Sequence, residues 1–138
     1  MMKRIILAMV AILPGILLFA QLVNDPNVES REVKHFRSIK VSHAFDVYLA
    51  QGDEESLAVS AGDKKFVSQI KTEVRDGELY IWHDGGNINN WNTRKMKLKV
   101  YISFAQLDQL DISDASHVYS MGTWKDDELK KKLLGSAN

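Results

Sequence analysis

Ser42-His43-Ala44-Phe45-Asp46-Val47-Tyr48 is written again at Ser113-Asp114-Ala115-Ser116-His117-Val118-Tyr119, and Gly135-Ser136-Ala137-Asn138 begins a third copy at the end of the chain. The last two copies are 21 residues apart, counted from Asp114 to Gly135. A period near 20 residues suits one coil of a β-solenoid, where each coil buries its apolar face only against the next. The repeat therefore predicts an all-β fold: N-terminal β-hairpins leading into a right-handed, β-helix-like stack of short rungs. The chain stops where a further rung is expected, so the stack is expected to be truncated at its C-terminal end.

Around the first copy, Phe36, Ile39 and Val41 precede an alternation of Phe45, Val47 and Leu49 against Ala44, Asp46 and Tyr48. Gln51-Gly52-Asp53-Glu54-Glu55 is a polar turn, and Leu57-Val59-Ala61 alternates again, which predicts a hairpin across residues 45–61. Residues 62–69 are the one helix-like stretch, with Phe66, Val67 and Ile70 at helical spacing. Asp76-Gly77 sits between two alternating runs and signals a second hairpin, because a type I′ turn needs positive φ at both central residues. Residues 83–93 are rich in Gly and Asn and read as a loop. Met96, Leu98, Val100, Ile102 and Phe104 then face one way, with Lys95, Lys97, Lys99, Tyr101 and Ser103 facing the other. That pattern predicts a sheet packed on one side and wet on the other. At the C-terminal end, Leu129, Leu133 and Leu134 fit either a strand in register with the repeat or a charged helix, and the repeat favours a strand.

The N-terminus has a different character. Lys3 and Arg4 precede an apolar run over residues 5–19, broken by Pro14-Gly15 and followed by the small residue Ala20. Residues 1–20 read as a signal peptide, shorter than a membrane-spanning helix requires. Residues 21–32 are polar and aperiodic and read as a flexible leader. Residues 33–138 form the folded domain. Without residues 1–20, 16 Lys/Arg face 18 Asp/Glu, a net charge near −2, which leaves no electrostatic footprint for nucleic acid. The chain has no cysteine, so stability rests on burial and the β-ladder, and thiol chemistry is excluded.

The order Phe36-x-x-Ile39-x-Val41, Ala44-Phe45-Asp46-Val47-Tyr48-Leu49-x-Gln51-Gly52, Lys71-Thr72-Glu73-Val74-x-Asp76-Gly77-x-Leu79 and Leu107-x-x-Leu110-x-Ile112-Ser113 resembles the head GIN domain of auto-transporter adhesins of Bacteroidetes-type exported proteins. The closing Gly135-Ser136-Ala137 continues it, so the resemblance spans about residues 33–138. It implies an exported, solenoid-like domain at the cell surface and no catalytic residues. The chain departs from the family pattern at His43 and Asp114, where Gly is favoured, and at His117, where Asp is favoured. It also ends earlier than family members usually do.

Several residues are candidates for chemistry. Asp46 and His117 hold equivalent repeat positions, as do His43 and Asp114; stacked copies would bring each pair together, as a metal or an acid–base pair requires, unless they only bond the backbone at corners. Trp82, Trp91 and Trp124, with Tyr80 and Tyr101, suit either a platform for sugar rings or covers for the sheet ends. The loop carrying Trp91 adds amides, so the expected ligand-contact surface is Trp82, Asn87, Asn90, Trp91 and Asn92. Asp53-Glu54-Glu55 and His83-Asp84 lack the register of a calcium loop. No nucleophile elbow, zinc-protease motif or phosphate loop occurs, so no catalytic, cofactor or metal residues are assigned.

These features describe an extracytoplasmic, non-enzymatic binding or structural module of the cell envelope. Its expected partner is a cell-surface glycan or envelope protein, with membrane contact only through the signal segment and self-association through an open C-terminal edge. The alternatives are an inactive fragment or a polysaccharide-acting enzyme on a β-helix scaffold. The enzyme would need Asp46, Asp111 and Asp114 gathered in one outer groove.

Overall fold

The computed structural model describes residues 25–42, 44–84, 95–113 and 116–137. The expected signal segment and the loop holding Asn87, Asn90, Trp91 and Asn92 lie outside the described residues, as do His43 and Asp114.

Nine strands and two helices are described: β1 (Glu29–Arg31), β2 (Ser38–Val41), β3 (Phe45–Gln51), β4 (Ser56–Ser60), α1 (Lys64–Val67), β5 (Ile70–Arg75), β6 (Glu78–His83), β7 (Leu98–Phe104), β8 (Gln109–Ile112), β9 (His117–Met121) and α2 (Asp127–Ala137). The strands form two mixed sheets. The first has the order β1-β4-β7-β3-β9 and the second β5-β6-β2-β8. Within them, β7-β3-β9 and β6-β2-β8 are parallel throughout, whereas β1, β4 and β5 join antiparallel. The chain thus makes three stacked two-strand layers, β6–β7, β2–β3 and β8–β9. The layer that comes first in sequence sits in the middle.

The two full copies of the repeat stack in register. Asp46 lies opposite His117, Val47 opposite Val118 and Tyr48 opposite Tyr119, and the same offset of 71 residues aligns Val41 with Ile112. Ser116 ties the two corners together: its hydroxyl accepts from the Phe45 N–H at 3.0 Å and donates to the Ser42 carbonyl at 3.1 Å. The backbone turns between β2 and β3 at Ala44, with φ of 71°, a left-handed conformation that costs a residue with a Cβ about 1–2 kcal/mol.

Three sequence expectations are corrected. The 21-residue spacing does not become a rung, because Gly135 falls inside α2. Residues 127–134 hold only helix-compatible types with no β-branched residue. Asp126 caps the helix by accepting from the Leu129 N–H at 3.0 Å, and Leu133 reaches the core. Next, β3 and β4 do not pair as a hairpin, since β7 lies between them and β3 has parallel neighbours on both sides. Last, residues 29–31 of the expected leader form β1, held by pairing with β4 and by the Arg31 guanidinium, which donates to the carbonyls of Ile70 and Val67. The hairpin at Asp76-Gly77 forms as expected, with φ of 52° and 77°. The short helix forms too, as α1, capped by the Asp63 carboxylate.

The space between the sheets is a continuous apolar core. Phe36, Ile39, Phe45, Val47, Leu49, Leu57, Val59, Leu79, Ile81, Val100 and Ile102 are almost wholly shielded. Each such side chain contributes about 1.5–3 kcal/mol before chain entropy is counted. Met96 is also buried, but it precedes β7, and Lys97 between them takes φ of 51°. At the α2 end, Trp124 packs edge-on against Phe104 at 4.8 Å. There Trp124 Nε1 and Ser120 Oγ are buried with no hydrogen-bond partner among the described residues.

Candidate functional site

Alternation in the strands sends every second side chain away from the core, so each sheet has an outer face. On the first sheet that face is not the wet surface the lysine pattern predicts. Tyr101, Tyr48 and Tyr119 stand opposite one another on β7, β3 and β9. Their rings stack with centroids 5.0 Å apart at both steps and planes inclined by 18° and 20°. One end of this ladder is closed. Tyr101 is fully buried against Ala58 and Val28, and its hydroxyl donates to Asp25 Oδ2 at 2.6 Å. Ser60 donates to Asp25 Oδ1 at 2.6 Å, and Asn27 reaches the Ala61 carbonyl at 3.0 Å. Burial, with the Asp25 carboxylate beside it, pushes the Tyr101 phenol far above its ordinary pKa of 10. Burial also raises Tyr48, assisted by Asp46. The other end of the ladder, Tyr119, is 44% exposed.

The outer row beside the tyrosines is Lys99–Asp46–His117. The structure therefore brings Asp46 and His117 to neighbouring positions on one face, as direct stacking of the repeats requires. No ion pair joins them among the described residues, and no group of three or more His, Asp or Glu is placed to hold a metal there. Asp111 lies on β8, in the other sheet. Asp46 and Asp111 thus do not share a groove.

The second sheet keeps its outer face open and carries the remaining sequence candidate, Trp82. Register places Lys71 opposite Trp82, and it aligns Glu73, Tyr80, Lys40 and Asp111 in one row. Tyr80 and Trp82 are both half-buried, two residues apart on one face of β6. The Arg75 guanidinium lies 4.7 Å from the Tyr80 ring centre, and a hydrogen bond to Glu78 raises the Tyr80 phenol above its usual pKa. A depression of about 310 Å³ is lined by Tyr80, Trp82, Lys40, Arg75, Ser42 and Ser113. Trp82 also walls a second depression of about 550 Å³ that includes Lys71, Glu73 and Arg31.

The five aromatics singled out as either a platform or covers for the sheet ends do not act as one set. Trp124 is core and Tyr101 belongs to the other sheet, while Tyr80 and Trp82 remain together. Ser42 and Ser113, one from each copy of the repeat, join the groove because the copies stack; sequence reasoning missed them, although their identical positions were the available signal. Asp53-Glu54-Glu55 is a turn whose Glu55 pairs with His35 at 2.9 Å. His83 Nε2 lies 2.8 Å from Gln69 Oε1.

Residues 35–138 match the family described as "Putative auto-transporter adhesin, head GIN domain", and the chain belongs to that family. Among solved structures, the chain is similar to one titled "a putative adhesin" from Parabacteroides merdae, with 14% identity and a TM-score of 0.57 over 70% of this chain and 40% of the other. It is similar also to one from Bacteroides fragilis, with 19% identity and a TM-score of 0.55 over 67% of this chain and 41% of that one. A third, titled "Putative lipid binding protein", comes from Parabacteroides distasonis, with 18% identity and a TM-score of 0.55 over 70% and 41% of the two chains. At identities this low the likeness shows a shared fold alone. The chain spans about two fifths of the length of these relatives. No functionally curated protein matches it.

Proposed function

We propose that the chain is an exported, non-enzymatic, adhesin-like module that holds cell-envelope glycans on the outer face of its second sheet. The observation carrying this reading is the pairing of Tyr80 and Trp82 on one open face, beside the hydroxyls of Ser42 and Ser113 and the cations of Lys40 and Arg75. Aromatic faces take the apolar face of a sugar ring, and flanking polar groups bond its hydroxyls. The loop with Asn87, Asn90, Trp91 and Asn92 follows β6 in sequence. Family membership supports the adhesive role and the extracytoplasmic location, and the signal-like residues 1–20 support export. In the same reading, the three layers are rungs of a right-handed β-solenoid, as their shared order in both sheets suggests.

The test is sedimentation with purified envelope polysaccharide and peptidoglycan. The native chain should co-sediment with one of them, and Trp82→Ala should lower the bound fraction about tenfold, the worth of one stacked ring at roughly 1.4 kcal/mol. Equal binding by the two proteins would remove the groove from consideration. Absence of the chain from the extracytoplasmic fractions of its native host would end the reading as a whole.

A further inference from the structure

Beyond residue 20 the chain carries 16 Lys/Arg against 18 Asp/Glu, yet the surface around Trp82 has the opposite balance. The two depressions that this ring walls are lined by the cations Lys40, Arg75, Lys71 and Arg31 against the acids Glu73 and Glu29. Arginines already engage both acids: Arg75 pairs with Glu73 at 3.1 Å, and Arg31 pairs with Glu29. The two lysines are left over. Lys71 stands directly opposite Trp82 on β5, and Lys40 stands opposite Tyr80 on β2, so they flank the aromatic pair from its two sides. Both are exposed, and among the described residues no carboxylate lies within ion-pair distance of either. Lys71 reaches only the neutral Ser68 carbonyl, at 3.4 Å. Asp111 faces Lys40 from the far side, on β8, and lines neither depression.

We propose that the glycan held on this face is an acidic one, bearing carboxylates along its length; the inference rests on the glycan-binding reading and adds the charge of the ligand to it. One ring lies on Trp82, and the carboxylates beside it meet Lys71 and Lys40. A neutral sugar needs no net charge in its site, because neutral donors and acceptors satisfy its hydroxyls. Two ammonium groups without protein partners, one on either side of the aromatic pair, are complementary to an anion. The spacing of the lysines favours a carboxylate over a phosphate. Their Cα atoms are about 12 Å apart, two strands across at about 4.8 Å each and two residues along at about 3.4 Å each. Such a pair offers one ammonium to each of two singly charged groups, whereas a phosphate is held by several donors converging on one point.

The test uses the full chain and the envelope polymer with which it co-sediments. Reducing the carboxylates of that polymer to alcohols with carbodiimide and borohydride should lower the bound fraction about tenfold, the combined effect of two charge contacts. Removing its phosphate groups with cold hydrofluoric acid should leave binding unchanged. Lys71→Gln and Lys40→Gln should each weaken binding about threefold and flatten its dependence on salt between about 0.05 M and about 0.5 M NaCl. Asp111→Asn removes an acid beside Lys40 and should tighten binding about twofold. Unchanged circular dichroism and melting of each variant separate a lost contact from a lost fold. Equal binding of the native and the carboxyl-reduced polymer would overturn the acidic ligand and leave the glycan reading standing. So would loss of binding on removal of phosphate, or lysine variants that bind like the native chain. Failure to bind any of the polymers would end the glycan reading, and this inference with it.

Discussion

The two outer faces of this molecule are built on the same three layers yet carry opposite chemistry. On the first sheet the middle row is Tyr101, Tyr48 and Tyr119, closed at one end by Asp25, Ser60 and Val28. On the second it is Glu73, Tyr80, Lys40 and Asp111, with Trp82 beside it and, among the described residues, no strap across it. In-register stacking multiplies whatever residue stands at a position. Repeating Tyr yields a ladder that becomes part of the interior, whereas mixing charge and aromatic residues keeps a face solvated and available to a ligand.

The largest expected effect comes from breaking the closed face. Tyr101→Ala removes a fully buried ring, its stacking partner and its bond to Asp25, and should cost about 3–5 kcal/mol in urea unfolding. Trp82→Ala, on the open face, should lower glycan binding while costing much less stability. Comparable losses of stability from the two variants would show that both faces are structural, and the contrast would fail.

Alkali probes the same contrast without a mutation. The Tyr101 phenol keeps its proton in the fold well beyond pH 10, whereas the unfolded chain releases it near pH 10. The folded state therefore binds more protons above pH 10, so stability should be level below that pH and fall above it. The slope should reach about 1.4 kcal/mol per pH unit for each such tyrosine. Tyr101→Phe should flatten the slope in melts between pH 9 and pH 12.

Asp25→Asn tests the strap directly. It replaces an acceptor of three hydrogen bonds, from Tyr101, Ser60 and the Asn27 N–H, and should cost about 1–3 kcal/mol. An unchanged melt would mean that residues 25–28 only rest on the sheet.

Two smaller changes should stabilise the protein. Ser120→Val removes a buried, unpaired hydroxyl from a core-facing position in β9 and should gain about 1 kcal/mol. Ala44→Gly relieves the left-handed corner and should gain about 0.5–1 kcal/mol once the greater freedom of glycine in the unfolded chain is subtracted. Both are read from denaturant midpoints.

Much of this was legible in the residues. The alternation of Leu98, Val100, Ile102 and Phe104 marked the inner face of β7, and Asp76-Gly77 marked the turn between β5 and β6, because both signals act over a few residues. The repeated phrase marked two stretches that occupy equivalent places. Its spacing misled at the end of the chain, where Leu129, Leu133 and Leu134 suit a strand or a helix equally by pattern. A capping Asp126 and a core edge needing only one apolar side decided for the helix. Trp82 was found as a candidate, but its companions Ser42 and Ser113 were not, since 71 residues separate them and only strand pairing makes them neighbours.

The sequence by itself determined where most of the strands run, which side of them is apolar, and that Ser42–Tyr48 and Ser113–Tyr119 are equivalent, since these follow from side-chain period and backbone preference. Tertiary structure alone decided that the first layer lies in the middle, that β7 separates β3 from β4, and that three tyrosines from residues 48, 101 and 119 share one stack. Parallel pairing joins strands across long connections, and the partner that wins is the one that leaves the whole core filled, a property of all the layers together that no local stretch of sequence carries.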